Sequence, residues 1–285
     1  MTTEQQSIDR VVVIGAGSWG TAVAAIVAEH ADVTLWARDP DLAATIDTEH
    51  ENPRYLSGIA LPQHLRASAD LAHACEGAAA VIVGVPSHGL RAVLSEASAS
   101  IDDDVAILSL SKGVEQGSFL RMTEVIVEVL PDHRTDRIGV LTGPNLAREV
   151  AEGQPTASVV AIGDAVAGAQ LQQLFMTKSF RVYTNPDVVG CEIAGALKNV
   201  IAIATGIAAG LGYGDNTKAA LMTRGLAEIA RLGVALGGDP LTFSGLAGMG
   251  DLVATCTSEK SRNRHVGFQL GSGRPLDEIV AEMNM

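Results

Sequence analysis

Short runs of β-branched and aliphatic residues alternate with longer stretches of helical apolar spacing through the first two thirds of the chain. The runs are Arg10 to Ile14, Val33 to Trp36, Ala80 to Val85, Val105 to Leu110 and Ile138 to Leu141. Two more, Ser158 to Ile162 and Phe180 to Tyr183, flank a predicted helix from Asp164 to Met176. Strands separated by helices predict βαβ units and a parallel sheet. After Thr184-Asn185-Pro186 the strand signals stop, and the remainder reads as helices joined by Gly-rich turns. The pattern therefore predicts an α/β domain over residues 1–186 and an all-helical domain over residues 187–285.

Composition agrees with that division. Apolar residues make up 47 % of the chain but aromatics only 4 %, which suits small side chains packed between helices and a parallel sheet. A formal charge of −13 has the wrong sign for general attraction to nucleic acid or an anionic membrane, so an anionic ligand must be met by local groups. Cys75, Cys191 and Cys256 lie far apart, with neither a disulfide framework nor a metal-binding spacing, and no metal is expected. A reducing, cytoplasmic setting fits best, and the polar Met1 to Arg10 stretch carries no secretory signal pattern. The apolar stretch Ile193 to Gly212 is interrupted by Lys198, which at mid-membrane costs about 2.5 to 3.5 kcal/mol, so it reads as a buried helix rather than a membrane span.

The first strand runs directly into Gly15-Ala16-Gly17-Ser18-Trp19-Gly20 and then a helix from Thr21 to Glu29. In this strand-to-helix context the spacing reads as the Gly-x-Gly-x-x-Gly turn of a Rossmann-type dinucleotide-binding domain, with an ordinary strand-to-helix turn as the plainer alternative. Gly15 permits the turn, Gly17 admits a pyrophosphate to the backbone, and Gly20 lets helix and strand pack closely. At the tip of the second strand stand Ala37, Arg38 and Asp39. A guanidinium there favours the 2′-phosphate of NADP, while Asp39 leaves NAD open or caps the next helix.

In an open parallel sheet, ligands bind beyond the carboxyl ends of the strands. The residues there are the glycine loop, Arg38, Pro86-Ser87, Ser111-Lys112-Gly113 and Thr142-Gly143-Pro144-Asn145. Lys112 can meet a substrate oxygen or phosphate, and Gly143 and Asn145 can offer backbone and amide donors; as a plainer alternative, they form a solvated lysine and a capped turn. In the helical part, Lys198 is the one formal charge between Glu192 and Asp215, emerging from a face of Ala, Gly, Ile and Thr. Such a lysine needs a partner or a task. The glycines of Gly245 to Gly250 can deliver Asp251 into a cramped place where it holds an ammonium group, and Ser261-Arg262-Asn263 combines groups suited to a phosphate monoester.

Taken together, these segments resemble the bacterial NAD(P)-dependent glycerol-3-phosphate dehydrogenase family. The resemblance is carried by residues 15–22, Leu35 to Arg38, Asn52 to Leu56 with Leu61-Pro62, Ser111 to Gly113, Thr142 to Asn145, Ala196 to Val200, and Gly248 to Leu252 with Ser261 to Asn263. It implies reduction of dihydroxyacetone phosphate to sn-glycerol 3-phosphate, feeding glycerophospholipid synthesis; the sequence leaves the oligomeric state open, a homodimer being one guess. It further implies that Ser18, Trp19, Arg38, Tyr55, Lys112 and Ala147 line the cofactor side. Lys112, Gly143 and Asn145 would touch the substrate, Lys198 would transfer the proton, and Asp251, Ser261, Arg262 and Asn263 would complete the substrate site, with Arg262 shared with the cofactor. Asn145 departs from the serine that many members carry. The chain also stops at Asn284-Met285, where family members continue for further helices, so the sequence is expected to be incomplete or to lack part of the cofactor pocket. A β-hydroxyacid dehydrogenase is the alternative, disfavoured because the Asn expected four residues after the lysine is replaced by Ala202. A dinucleotide sensor without activity would keep the glycine loop but has no use for Lys198, Asp251 and Arg262 together.

Overall fold

The computed structural model describes residues 8–283, so the polar Met1–Ser7 stretch and Asn284-Met285 lie outside the described residues. The chain divides into two compact units: residues 1–141 with 145–188, and residues 142–144 with 189–285.

Unit 1 is built on an eight-stranded sheet: β1 (Arg10–Ile14), β2 (Asp32–Trp36), β3 (Arg66–Ser68), β4 (Ala80–Val83), β5 (Ala106–Ser109), β6 (Ile138–Thr142), β7 (Thr156–Ala161) and β8 (Phe180–Asn185). Their spatial order is β3-β2-β1-β4-β5-β6-β7-β8. β1 pairs in parallel with both β2 and β4, and β2 with β3, β4 with β5, β5 with β6 and β7 with β8 are also parallel. The helices of this unit are α1 (Ser18–Val27), α2 (Pro40–Glu49), α3 (Leu71–Cys75), α4 (Leu90–Ala97), α5 (Met122–Val129), α6 (Ala147–Ala151) and α7 (Ala165–Phe175). Strand β1 shows why its run is apolar throughout. Val11 and Val13 join a core with Val23 and Val27 of α1 and Leu171 of α7, while Val12 and Ile14 join another with Leu94 of α4 and Ile126 of α5. Both faces are covered from Val11 to Ile14, so each of those four positions is selected for apolar character, while Arg10 at the strand's start is exposed.

Most predicted strands shift by one or two residues at their ends. β4 stops at Val83 rather than Val85, and the next residue, Gly84, lies against the glycine loop, where a Cβ on it would sit 3.3 Å from Gly20 Cα. The short edge strand β3 has no counterpart in the sequence pattern; only three residues long and half-exposed, it carries no periodic signal.

Unit 2 contains α8 (Val188–Gly210), α9 (Asp215–Ala235), α10 (Asp251–Thr257), α11 (Arg262–Gly271) and α12 (Leu276–Glu282), with a π-turn over Leu246–Gly250 leading into α10. Ala194 and Ala202 of α8, Ile229 of α9, Phe243, and Leu252 and Cys256 of α10 share its core. Among the described residues α8 is the one helix long and apolar enough, by length and composition, to cross a membrane.

Helices α8 and α11 meet backbone to backbone. A Cβ on Gly206 would collide with Arg264 O and lie 2.8 Å from Phe268 N, and one on Gly210 would collide with Phe268 O and lie 2.8 Å from Ser272 N. Reciprocally, Gly267 abuts the Ile203 carbonyl and Gly271 the Ile207 carbonyl. The contact points advance together along both helices, so α8 and α11 run in the same direction. Gly206→Ala is expected to lower stability by about 1 to 3 kcal/mol, the usual cost of overpacking, in denaturant unfolding. An unchanged unfolding midpoint would mean that the helices separate without penalty.

Candidate active site

Unit 1 carries one group of candidate residues. The order of the sheet reverses between β1 and β4, which is where an open parallel sheet opens a crevice beyond its strand ends. Gly15 leaves β1 at φ +116°, and a Cβ on it would lie 2.9 Å from both the carbonyl carbon and the oxygen of Gly84. A Cβ on Gly20 would overlap Gly15 O, so strand and helix approach as bare backbone. Gly17 is the contrast, since a Cβ there meets nothing within 4 Å. It caps α1 with no side-chain hydrogen bond and no acidic residue in the first turn, leaving amide donors and the positive end of the helix dipole unneutralised beside open space. That combination fits a dinucleotide pyrophosphate.

The loop is held from the side by Asn52, which is fully buried. Its Nδ2 donates to Ala16 O (2.9 Å) and Thr21 Oγ1 (2.8 Å), and its Oδ1 accepts from Tyr55 N–H (3.0 Å). Ser18 Oγ donates to Tyr55 O at 2.7 Å, so Ser18 and Tyr55 are joined. Trp19 packs at 6.3 Å from the Phe180 ring with its buried Nε1 unpartnered. Arg38 is exposed at the tip of β2. Asp39, the rival for the ribose, is otherwise engaged: Oδ1 accepts the Asp41 and Leu42 amides at the start of α2, and Oδ2 pairs with Arg54 at 3.1 Å. Lys112 follows β5 and is half-buried, and Ala147 is the first residue of α6.

Asn145 uses part of its amide within its own unit. Its Nδ2 donates to Ser158 Oγ at 3.0 Å, and its Oδ1 is buried without a partner. The Oδ1 is an acceptor left to offer, and the second Nδ2 hydrogen keeps a donor role open as well. Gly143, by contrast, falls in unit 2 with Thr142 and Pro144, where a Cβ on Gly250 would lie 3.8 Å from Pro144 Cδ.

Unit 2 carries a second group, described by itself. Lys198 is 7 % exposed within α8, and its Nζ donates to Asp251 Oδ1 and to Thr255 Oγ1 (2.6 Å). Asp251 is 2 % exposed, and Thr255, one turn further along α10, donates to the Asp251 carbonyl at 2.7 Å. The predicted ammonium partner is therefore in place, with Thr255 as an addition the sequence reading did not name. The signal was available, since residues four apart share a helix face. The neighbouring Cys256 thiol is pushed up by burial and stays neutral. Ser261 caps α11 by accepting the Arg264 amide (3.3 Å), so its hydroxyl serves the helix, while Arg262 is exposed and Asn263 half-buried in the first turn. The α8–α11 register places Arg262, five residues before Gly267, level with Lys198, five residues before Ile203.

An α/β unit of Rossmann type followed by a helical unit defines a class, the two-unit dinucleotide-dependent dehydrogenases. The family description "NAD-dependent glycerol-3-phosphate dehydrogenase N-terminus" matches residues 10–167, and that of the corresponding C-terminus matches residues 187–285. The chain is 56 % identical over 276 residues to glycerol-3-phosphate dehydrogenase (NAD(P)+) 2 of Sphingopyxis alaskensis, covering 97 % of this chain and 82 % of that one. It is 52 % identical over 276 residues to glycerol-3-phosphate dehydrogenase (NAD(P)+) of Mycobacterium avium, covering 96 % and 80 %. The crystal structure of glycerol-3-phosphate dehydrogenase from Coxiella burnetii superposes with a TM-score of 0.92 at 38 % identity, covering 97 % of this chain and 84 % of that one. The chain belongs to the NAD(P)-dependent glycerol-3-phosphate dehydrogenase family.

The buried pair makes a claim that can be tested without substrate. Asp251→Ala strands the Lys198 ammonium and is expected to cost on the order of 3 to 5 kcal/mol, whereas the double variant Lys198→Met with Asp251→Leu recovers most of that loss. Urea unfolding decides. If the single variant lies within 1 kcal/mol of wild type, the ammonium is solvated and the pair is not buried in solution.

Proposed function

We propose that the protein reversibly reduces dihydroxyacetone phosphate to sn-glycerol 3-phosphate with NADPH or NADH, feeding glycerophospholipid synthesis in the cytoplasm. Residues 1–186 act as the dinucleotide-binding domain and residues 187–285 as the substrate domain. The observation that carries this reading is the Lys198 ammonium, buried in an apolar helix and held by Asp251 and Thr255. When bound, the nicotinamide supplies the hydride for the ketone carbon. As charge grows on the carbonyl oxygen, Lys198 Nζ gives it a proton, and in alcohol oxidation the same amine accepts the hydroxyl proton. Asp251 and Thr255 orient that amine. Lys112 meets the substrate and borders the cofactor; Gly143, Asn145 and Asn263 complete the substrate contacts, with Ser261 holding their helix end. Arg262 holds the phosphate, and its side chain is shared with the cofactor. Gly15, Gly17, Ser18, Trp19, Gly20, Tyr55 and Ala147 serve the dinucleotide. No metal takes part; the assembly is a homodimer without nucleic-acid or membrane partners.

The first test is a spectrophotometric assay of NADPH and NADH oxidation with dihydroxyacetone phosphate, where no oxidation by the full chain with either cofactor overturns the reading. Arg38 is exposed and Asp39 is occupied, so the 2′-phosphate is expected to be the distinguishing ligand. Arg38→Ala should raise the KM for NADPH and leave that for NADH nearly unchanged; equal losses would make Arg38 structural.

Lys198→Met keeps the stem and removes the proton. Turnover is expected to fall by about a hundredfold to ten-thousandfold, the range for general acid–base groups, with dinucleotide affinity retained. A variant that binds cofactor, shows wild-type circular dichroism and turns over within a few-fold of wild type removes Lys198 from the mechanism.

A further inference from the structure

Lys112 sits on a short segment that is anchored at both ends. On its N-terminal side, Leu110 N–H donates to Val83 O at 2.8 Å, Ser111 Oγ donates to Val85 O, and Ser111 N–H donates to Ser109 Oγ at 3.1 Å. On its C-terminal side, three residues after the lysine, Glu115 is gripped by Arg91 of α4. Arg91 Nε donates to Glu115 Oε1 at 2.7 Å and Nη2 to Oε2 at 2.9 Å, a bidentate fork, and Nη2 also reaches Glu128 Oε2 on α5 at 2.7 Å. Ser118 Oγ donates to Glu115 Oε2 at 2.6 Å. The Glu115 backbone closes the loop, its N–H donating to Leu120 O (2.9 Å) and its carbonyl accepting from Phe119 N–H (3.0 Å).

The loop shape is not one the chain adopts for its own sake. Phe119 is held at φ +60°, in the left-handed region that a bulky residue avoids, and its side chain is 77 % exposed, so no burial of the ring offsets the strain. The compensation comes from the polar contacts around Glu115, whose side chain is only 17 % exposed, and from the Val114–Arg121 bridge.

We propose that Glu115, gripped by Arg91, is a positioning residue: it fixes the segment that carries Lys112 and so sets the direction of the Lys112 amine toward the substrate. The proposal rests on the reading of Lys112 given above. Hydrogen bonds from Arg91 and Ser118 hold the Glu115 carboxyl down from its ordinary 4.5 to about 2. A depressed carboxylate contributes fully above its ordinary value and is lost as pH falls toward about 2, so the clamp stays charged through neutral assay conditions. A pH profile is therefore not where its loss should show.

The test is a double-mutant cycle with a second readout on the free protein. Glu115→Gln keeps the shape and removes the charge. It is expected to lower kcat/KM for dihydroxyacetone phosphate about tenfold when Lys112 is present and less than about twofold in a Lys112→Met background, because a residue acting through Lys112 has nothing left to position. Arg91→Gln should behave the same way. Equal losses in both backgrounds, or a Glu115→Gln variant within twofold of wild type, overturn the proposal. Independently, amine labelling of the substrate-free protein followed by mass spectrometry compares Lys112 with the exposed Lys178. A labelling ratio that changes severalfold in Glu115→Gln supports the clamp, and an unchanged ratio overturns it. If wild type does not reduce dihydroxyacetone phosphate at all, the substrate reading fails by itself and the labelling ratio still decides on Glu115.

Discussion

Unit 2 is organised around one demand: an ammonium group removed from water inside a helix of Ala, Gly and Ile must be met by an anion and an acceptor, or it costs several kcal/mol. Asp251 and Thr255 meet it from a single face of α10. For α10 to begin at that place the chain must tighten immediately before it, and it does so in the π-turn Leu246–Gly250, where the Gly250 amide reaches back five residues to Gly245 O at 3.1 Å. Such turns are rare and cluster at functional positions. A buried ion pair is also a poor device for stability alone, because apolar residues of the same volume commonly do as well or better. Under the proposed mechanism, the proton it carries is the reason for keeping it on a face otherwise made of small side chains.

The second constraint is electrostatic. With a formal charge of −13 the molecule as a whole repels anionic ligands, so attraction has to be built over short distances. In the proposed reading three devices do this. Helix α1 begins without a side-chain cap and without an acid in its first turn. Arg38 stands exposed while the adjacent carboxylate is spent on a helix start and on Arg54. Arg262 opens α11 beside a capping serine that satisfies the helix without adding negative charge. At the starts of α1 and α11 the partial positive charge of the helix end adds to these groups, whereas at α2 it is met by the Asp39 carboxylate.

Much of this was legible before any coordinates. The apolar runs carried the α/β character because strands buried on both faces are apolar throughout, and the glycine loop was readable because its spacing and its strand-to-helix context coincide. Lys198 and Asp251 stood out through isolation and glycine crowding respectively. What escaped the sequence depends on contacts between distant segments. Asn52 pins the glycine loop from 31 to 36 residues away, yet an asparagine before a proline looks like any turn. Gly84 reads as part of a strand until Gly15 is seen against it. Nor does the sequence show that Asn145 spends one amide hydrogen on Ser158, thirteen residues away.

The two halves share a method for setting distances. At the glycine loop, Gly15, Gly20 and Gly84 bring strand, helix and neighbouring strand together as backbone; in the helical unit, Gly206, Gly210, Gly267 and Gly271 do the same for α8 and α11. A glycine inside an element gives up roughly 0.5 to 1 kcal/mol relative to alanine, so each contact is expensive in chain entropy. In return the separation is set by peptide groups, which have no rotamers, instead of by side chains, which do. That is how Arg262 can be held level with Lys198 when neither residue touches the helix–helix seam itself. It also accounts for a chain with 30 glycines and only 4 % aromatics: bulky rings at those seams would hold the helices apart and move the groups they carry.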